Sequence, residues 1–164
     1  MKYYFKEEMR LIYNEGEIFE EESGNLAYTF KNQKMMFPET HLYSFEGEDL
    51  GYIQMKMSWV NGKFELYRRG EYIDTIESKF HLLKHELLFR DMGWQITGNF
   101  LGMEFQILDE RGNVLADVHE KMWHLTKQYS ITVHDERNAE LLLLIVLAIY
   151  EYDRANEAAA AAAA

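Results

Sequence analysis

The run from Leu141 to Tyr150 constrains the fold more than any other part of this sequence, because all ten of its residues are apolar. A helix that is apolar on every side is either buried all round or inside a membrane. A spanning helix needs about 20 such residues, so this run is too short to cross a bilayer. A buried strand is the other interpretation, but four successive leucines and the length favour a helix. We predict that residues 139–150 form a helix with nearly every side chain buried.

The chain ahead of this run has the composition of a β-rich domain. It contains 11 Tyr, 10 Phe and 3 Trp but a single proline, and aromatic residues favour strands. We expect about 10–12 short strands, and an antiparallel array of that size must close or fold over to hide its edges. A sheet with one covering helix would need a polar face on the helix. The run shows none, so we predict a mainly β (α+β) fold, a closed antiparallel barrel around a central hydrophobic C-terminal helix.

Four glycines begin sequence units that repeat. Gly47, Gly70 and Gly112 are each followed by apolar residues at the third and sixth positions and by lysine at the ninth, and Gly24 begins a weaker copy. Since glycine readily adopts positive φ, we predict that the four occupy equivalent hairpin turns. A spacing of three does not fit a strand, so we predict a β-bulge between the two apolar positions. The residues predicted to point inward are Leu50, Ile53, Ile73, Ile76, Leu115 and Val118.

Length and charge indicate to which broad class of protein this chain belongs. Residues 1–154 are predicted to form one domain. Residues 155–164 form a tail ending in Ala158–Ala164, which we interpret as artificial or disordered and not as a natural helical extension. The 17 basic and 28 acidic side chains give a net charge of −11, which argues against nucleic-acid binding. There is no cysteine for disulfides, and charge returns at Lys6, too early for a signal peptide. We therefore expect a cytoplasmic protein that is not transmembrane.

Several segments carry a family resemblance. They are Glu21–Tyr28, Trp94–Asn99, Gly112–Val118, Tyr129–Val133 and the apolar run up to Asp153. Over residues 1–154 the chain resembles the LURP-one-related family of the tubby-like superfamily, which includes tubby C-terminal domains and phospholipid scramblases. The resemblance implies the barrel with a central helix. Tubby domains bind phosphoinositide head groups through basic residues, and scramblases are linked to calcium and lipid, but neither set of functional residues maps onto positions here.

Five basic residues are candidates for an anion site. Lys56, Lys79 and Lys121 recur at the ninth position of the repeat, and Arg68 and Arg69 stand in a predicted turn. Brought together, they would hold a phosphate or lipid head group by charge-assisted hydrogen bonds. The alternative is that each lysine simply ends a strand at the edge of the barrel.

Metal and catalytic patterns are weaker. His81 and His85 are four residues apart, a metal-ligand spacing on a helix but not on a strand, and solvated histidines near a loop are the alternative. The acidic residues of Glu15–Glu22 suggest calcium or, as we favour, a solvated turn. The sequence contains no glycine-flanked nucleophile motif and no phosphate-binding loop. We therefore assign no catalytic residue, metal site or cofactor.

These observations predict a non-enzymatic binding or scaffold domain that recognises a lipid head group or another phosphate-bearing ligand. A protein–protein interaction module is the alternative, and a small hydrolase comes third. A lipid-binding protein with a net charge of −11 must segregate its lysines on one face, so the distribution of lysines discriminates the first two functions.

Overall fold

The computed structural model describes residues 1–6, 15–33, 36–56, 62–81 and 84–163, and within these it forms a closed antiparallel barrel of twelve strands around one α-helix. The strands are β1 (Lys2–Lys6), β2 (Glu15–Glu20), β3 (Leu26–Gln33), β4 (Glu39–Ser44), β5 (Asp49–Met55), β6 (Lys63–Arg68), β7 (Glu71–His81), β8 (Lys84–Phe89), β9 (Gln95–Asn99), β10 (Glu104–Leu108), β11 (Val114–Trp123) and β12 (Thr126–Val133). Short 3₁₀ turns cover Phe100–Gly102 and Glu136–Asn138, and the helix α1 runs from Ala139 to Ala163.

The barrel closes by pairing its first strand with its last. Each strand pairs antiparallel with the next one in the sequence, and β1 pairs with β12 through the register Tyr3 to Ile131. No strand of the described chain is therefore left with a free edge, which removes the main aggregation hazard of a large sheet. The predicted fold class is confirmed.

The four repeated glycines occupy equivalent hairpin turns, with φ angles of +70°, +89°, +82° and +84°. Behind each turn the strand register shifts by one residue. The extra residue of each bulge is the third one after the glycine, namely Ala27, Leu50, Ile73 and Leu115. The bulge restores the residue at the sixth position to the inner face. Of the six residues predicted to point inward, five are buried and Ile73 is partly buried against the core.

The helix fills the barrel as its composition predicts. Every side chain from Leu141 to Tyr150 is at most 4% exposed. Near the far end of this stretch, the Tyr150 ring lies 5.1 Å from the Phe5 ring and 5.2 Å from the Tyr129 ring. A helix covering one side of an open sheet is thereby excluded. No helix among the described residues is long and apolar enough to cross a membrane. The helix continues through exposed alanines to Ala163, and the domain boundary at residue 154 stays a prediction.

The barrel has two ends that differ in sequence. We call "glycine end" the end formed by the turns at Gly24, Gly47, Gly70 and Gly112, where α1 begins. We call "lysine end" the opposite end, where β1, β3, β5, β7 and β11 finish and where the 3₁₀ turn Phe100–Gly102 lies. Because every strand runs antiparallel to its neighbours, a residue next to one of these glycine turns and the residue eight or nine positions later in the sequence lie at opposite ends of the barrel.

Candidate functional site

The lysines are collected at one end of the molecule. Of the nine lysines in the described residues, all but Lys2 lie within three residues of a strand terminus at the lysine end. These eight are Lys6, Lys31, Lys56, Lys63, Lys79, Lys84, Lys121 and Lys127. The lysines are therefore segregated at one end, where glutamates such as Glu15, Glu39, Glu65 and Glu104 also lie.

The five basic residues singled out by the sequence do not form one cluster. Lys56 follows β5 and Lys79 lies near the end of β7, whereas Lys121 is on β11, four strands further round the barrel. All three are at the lysine end. Arg68 and Arg69 are at the glycine end. Whether any of them binds an anion stays a prediction.

The lysines fall into a paired and an unpaired group. Lys31 lies 2.7 Å from Glu15, Lys56 lies 3.6 Å from Glu65, and Lys127 lies 3.2 Å from Glu157. At the lysine end, the lysines with no carboxylate within 4.0 Å in the described part of the chain are Lys6, Lys63, Lys79 and Lys121, and the side chain of Lys84 lies outside that part. The unpaired group can bind external anions without first breaking an ion pair.

Large apolar side chains are exposed at the same end. Leu125 is 96% exposed, Met36 89% and Met122 65%, and Phe37 and Leu101 are exposed to a lesser degree. Water is a poor solvent for such groups, so apolar side chains exposed at a charged end are candidates for contact with a partner surface.

The turn that carries Leu125 has an unfavourable sequence. His124 and Leu125 form the two-residue connection between β11 and β12, with φ angles of +47° and +73°. A two-residue hairpin with positive φ at both positions prefers Asn-Gly. A leucine in the left-handed region costs about 1–2 kcal/mol. The structure thus holds an exposed leucine at the tip of a hairpin at a cost in stability, as functional sites often do.

The two arginines at the glycine end neutralise a carboxylate at the start of the helix. Arg68 lies 3.6 Å and Arg69 3.7 Å from the two oxygens of Glu140, and Arg69 also pairs closely with Glu48. The Oε2 atom of Glu140 is buried and accepts no hydrogen bond from the described residues. Burial in the same region raises the pKa of Tyr3.

A cavity of about 450 Å³ opens here, with Arg69 and four glutamates along its wall. Because both arginines already face carboxylates, this end does not favour an anionic ligand.

The predicted metal patterns give no assembled site among the described side chains. No group of three or more His, Asp and Glu residues is placed there to hold an ion. His81 ends β7 and His85 lies in β8, on either side of residues 82–83; their side chains lie outside the described part of the structure. Glu15, Glu17 and Glu20 are on β2, where Glu20 accepts a hydrogen bond from Ser23 at 2.7 Å.

A row of aromatic rings crosses the outer wall of the barrel, and we did not predict it from the sequence. His41 of β4, Tyr52 of β5, Tyr67 of β6 and Tyr72 of β7 are successive register partners. The His41 and Tyr52 rings stack at 4.8 Å between centroids, the Tyr52 and Tyr67 rings at 4.6 Å, and Tyr72 meets Tyr67 edge-on at 5.9 Å. Tyr43, two residues further along β4, stacks with His41 at 6.1 Å. We call these five residues the aromatic row.

Carboxylates hold the row in place. Both ring nitrogens of His41 lie 2.8 Å from a carboxylate, Nδ1 from Asp49 and Nε2 from Glu39. The hydroxyl of Tyr67 donates to Glu65 at 2.6 Å, and that bond, together with burial, raises the pKa of Tyr67 to about 12. These contacts hold the rings of His41 and Tyr67 in place.

The sequence contains the signal that would have found part of the row. Tyr67 and Tyr72 stand three residues before and two after Gly70, nearer to the turn than the bulge at Ile73. His41 and Tyr52 stand six before and five after Gly47. Counting from a glycine therefore pairs the two rings within a hairpin, but the pairing of Tyr52 with Tyr67 joins two hairpins and no such count gives it.

The fold is of the class in which a closed antiparallel barrel wraps around a hydrophobic C-terminal helix. Within it, the family model described as LURP-one-related matches residues 1–150, and the chain belongs to that family. An X-ray structure of a protein from Arabidopsis thaliana is similar, with a TM-score of 0.58, 12% identity and 91% of each chain covered. At that identity the likeness concerns the fold. No curated protein sequence matches the chain.

Proposed function

We propose that this domain is a non-enzymatic binding module that docks on anionic phospholipid surfaces with its lysine end. The observation that carries the proposal is the coincidence, at one end of the barrel, of eight lysines and the exposed side chains of Met36, Phe37, Met122 and Leu125. Cytoplasmic leaflets bear a negative surface potential. The proposal therefore suits the cytoplasmic location expected from the sequence.

The energetics favour docking despite the net charge of −11. Each lysine near an anionic bilayer contributes about 1 kcal/mol. Burial of an exposed leucine adds about 1.5–3 kcal/mol. The acidic glycine end lies at the far side of the barrel, and its repulsion is screened beyond about 8 Å at physiological salt. Three of the five basic residues selected from the sequence, Lys56, Lys79 and Lys121, belong to this surface, while Arg68 and Arg69 do not.

Vesicle cosedimentation tests the proposal. We expect the domain to bind vesicles that contain about one-third phosphatidylserine and to leave pure phosphatidylcholine vesicles unbound, with binding falling between about 0.1 M and 0.5 M salt. Changing Lys63, Lys79 and Lys121 together to alanine should weaken binding about 100-fold, since three lysine contributions are lost.

A matched control removes the same charge from the other end. The triple change of Lys2, Arg111 and Arg137 to alanine lowers the net charge by three at the glycine end, and we expect no weakening. Equal weakening by the two triple variants would refute docking by the lysine end.

A second pair of variants tests the apolar contribution. We expect Leu125→Ser to weaken binding, whereas Phe45→Ser, at a 67% exposed residue of the glycine end, should leave it unchanged. Inositol hexakisphosphate and inorganic phosphate, added as competitors, distinguish a head-group pocket from a surface. Loss of vesicle binding at micromolar competitor would point to a compact phosphate site instead.

A further inference from the structure

The outer wall of the barrel carries a pocket at one end of the aromatic row. It is lined by Glu15, Gly16, Glu17, Thr29, Phe30, Lys31 and Tyr43 and has a volume of about 250 Å³. We call it the Tyr43 pocket. Tyr43 belongs both to this pocket and to the aromatic row, so the two features form one continuous surface over β2 to β7.

The strand register explains why the pocket exists. Glu17 of β2, Thr29 of β3 and Tyr43 of β4 are successive register partners. Neighbouring strands are about 4.8 Å apart, so the backbones of β2 and β4 are about 9.6 Å apart, with only a short threonine between Glu17 and Tyr43. A gap of this width accepts one planar group between the ring and the carboxylate.

The charges at the pocket leave one carboxylate without a partner. Lys31 lies 2.7 Å from Glu15, so these two side chains neutralise each other. Glu17 is exposed and has no ion pair with any residue that the structure describes. The pocket thus has room and charge for a single cation.

We propose that the Tyr43 pocket and the aromatic row bind an extended, basic segment of a partner protein, with one arginine of that segment inserted over Thr29. A guanidinium is planar, stacks on aromatic faces and hydrogen-bonds to carboxylates with two parallel N–H groups, which an ammonium cannot do. Stacking on Tyr43 and bonding to Glu17 use both properties at once. The prearranged rings provide a rigid surface for the rest of the segment, which lowers the entropic cost of binding.

The proposal does not rest on membrane docking, since Glu17 and Tyr43 bind the arginine, although Lys31 of the pocket also belongs to the lysine end. The alternative is that the rings only stabilise the sheet, as cross-strand aromatic pairs do. In that case substitutions in the pocket would alter stability alone, and no basic ligand would select this surface.

The test uses fluorescein-labelled hexa-arginine and hexa-lysine peptides, which carry equal charge, in anisotropy titrations with the full chain. We expect hexa-arginine to bind more tightly than hexa-lysine. Glu17→Gln should weaken hexa-arginine binding about tenfold, the loss typical of a charge-assisted hydrogen bond. Glu110→Gln, an equal change of charge in the turn at Gly112, should leave it within a factor of two, an expectation that rests on screening over this distance.

Two further measurements test the pocket without replacing Tyr43, whose loss could unfold the domain. Thr29→Arg places a guanidinium of the chain itself in the gap and should abolish the preference for arginine while the melting temperature is retained. In NMR titrations with hexa-arginine, the largest amide shifts should fall at Glu17, Thr29 and Tyr43. Equal binding of both peptides, equal effects of Glu17→Gln and Glu110→Gln, or shifts centred elsewhere would each overturn the proposal.

Discussion

At the scale of single residues, Asp117 is an acidic side chain of the outer wall that connects neighbouring strands. One carboxylate oxygen accepts a hydrogen bond from Gln106 at 2.6 Å and the other lies 2.6 Å from Nε2 of His134. Burial alone would raise the pKa of Asp117, but these bonds outweigh it and hold that pKa below its usual range. The residue links β10, β11 and the segment after β12, so it joins strands that only the register brings together.

The sign of the resulting pH dependence follows from the lowered pKa. A carboxyl that is more acidic in the folded state stabilises it above the unfolded pKa of about 3.9, and this contribution disappears as the pH falls through the folded value. We expect Asp117→Asn to lower the free energy of unfolding at pH 7 by about 1–2 kcal/mol. The difference in stability between pH 7 and pH 3 should shrink in the variant. Urea unfolding at both pH values measures this, and an unchanged pH dependence would contradict it.

Tyr67 provides a second prediction at this scale. Its hydrogen bond to Glu65, with burial as a further cause, raises its pKa to about 12 from an ordinary value of 10.0. Replacing Glu65 by glutamine removes the charge that opposes ionisation, so the pKa of Tyr67 should fall towards 10. NMR of carbon-labelled tyrosine rings follows this ionisation separately from that of the other tyrosines. Tyr4 in the same spectra serves as the reference.

At the scale of elements, the central helix depends on complete burial. Leu144 is fully buried. We expect Leu144→Ala to lower the free energy of unfolding by about 2–5 kcal/mol through the cavity that it leaves. Leu144→Asp should prevent folding, because an unpaired buried charge costs several kcal/mol more. Denaturant titration and circular dichroism measure both effects, and Ala160→Ser in the exposed tail is the control. A stably folded Leu144→Asp variant would refute complete burial.

The turn between β11 and β12 should show the opposite behaviour. Replacing His124 by Asn and Leu125 by Gly gives the sequence that this turn geometry prefers. We expect the melting temperature to rise, with a gain in stability of about 1 kcal/mol. If the proposed membrane docking holds, vesicle binding should weaken in the same variant. A gain in stability with unchanged vesicle binding would indicate that Leu125 does not take part in docking.

How far the sequence predicts these elements depends on what sets their position. Each hairpin is local: Gly47 and the apolar Leu50 and Ile53 specify turn, bulge and inward face within a few residues, and all three were predicted. The relation between Glu17 and Tyr43 depends on the registers of two successive hairpins, one of them joined through residues 34–38, so spacing alone does not give it. The ion pairs of Arg68 with Glu140 depend on where the helix enters the barrel, which no local pattern specifies.

At the scale of the whole molecule, the charges are polarised along the barrel axis. Acidic residues crowd the glycine end, among them Glu21, Glu22, Glu46, Glu48, Glu110 and Glu136. Most of the lysines are at the other end. The overall net charge of −11 is therefore unevenly distributed, although Glu39, Glu65 and Glu104 stand among the lysines. Such a charge distribution orients an approaching domain towards an anionic surface before contact.

The barrel and the helix also depend on each other for stability, and this gives the last prediction. Ten successive buried residues of the helix fill the lumen, and an empty apolar lumen would lose their packing and expose the inner faces of the strands. A chain ending at Asn138 should therefore fail to fold, shown by loss of dispersed NMR signals. A chain ending at Glu157 lacks only the alanine run and keeps the contact between Lys127 and Glu157, so its melting temperature should match that of the full chain. Adding a peptide of residues 139–157 to the chain that ends at Asn138 should restore the dispersed signals, since the helix then fills the lumen of the barrel again. A folded barrel without the helix would show that the strands alone specify the closed sheet.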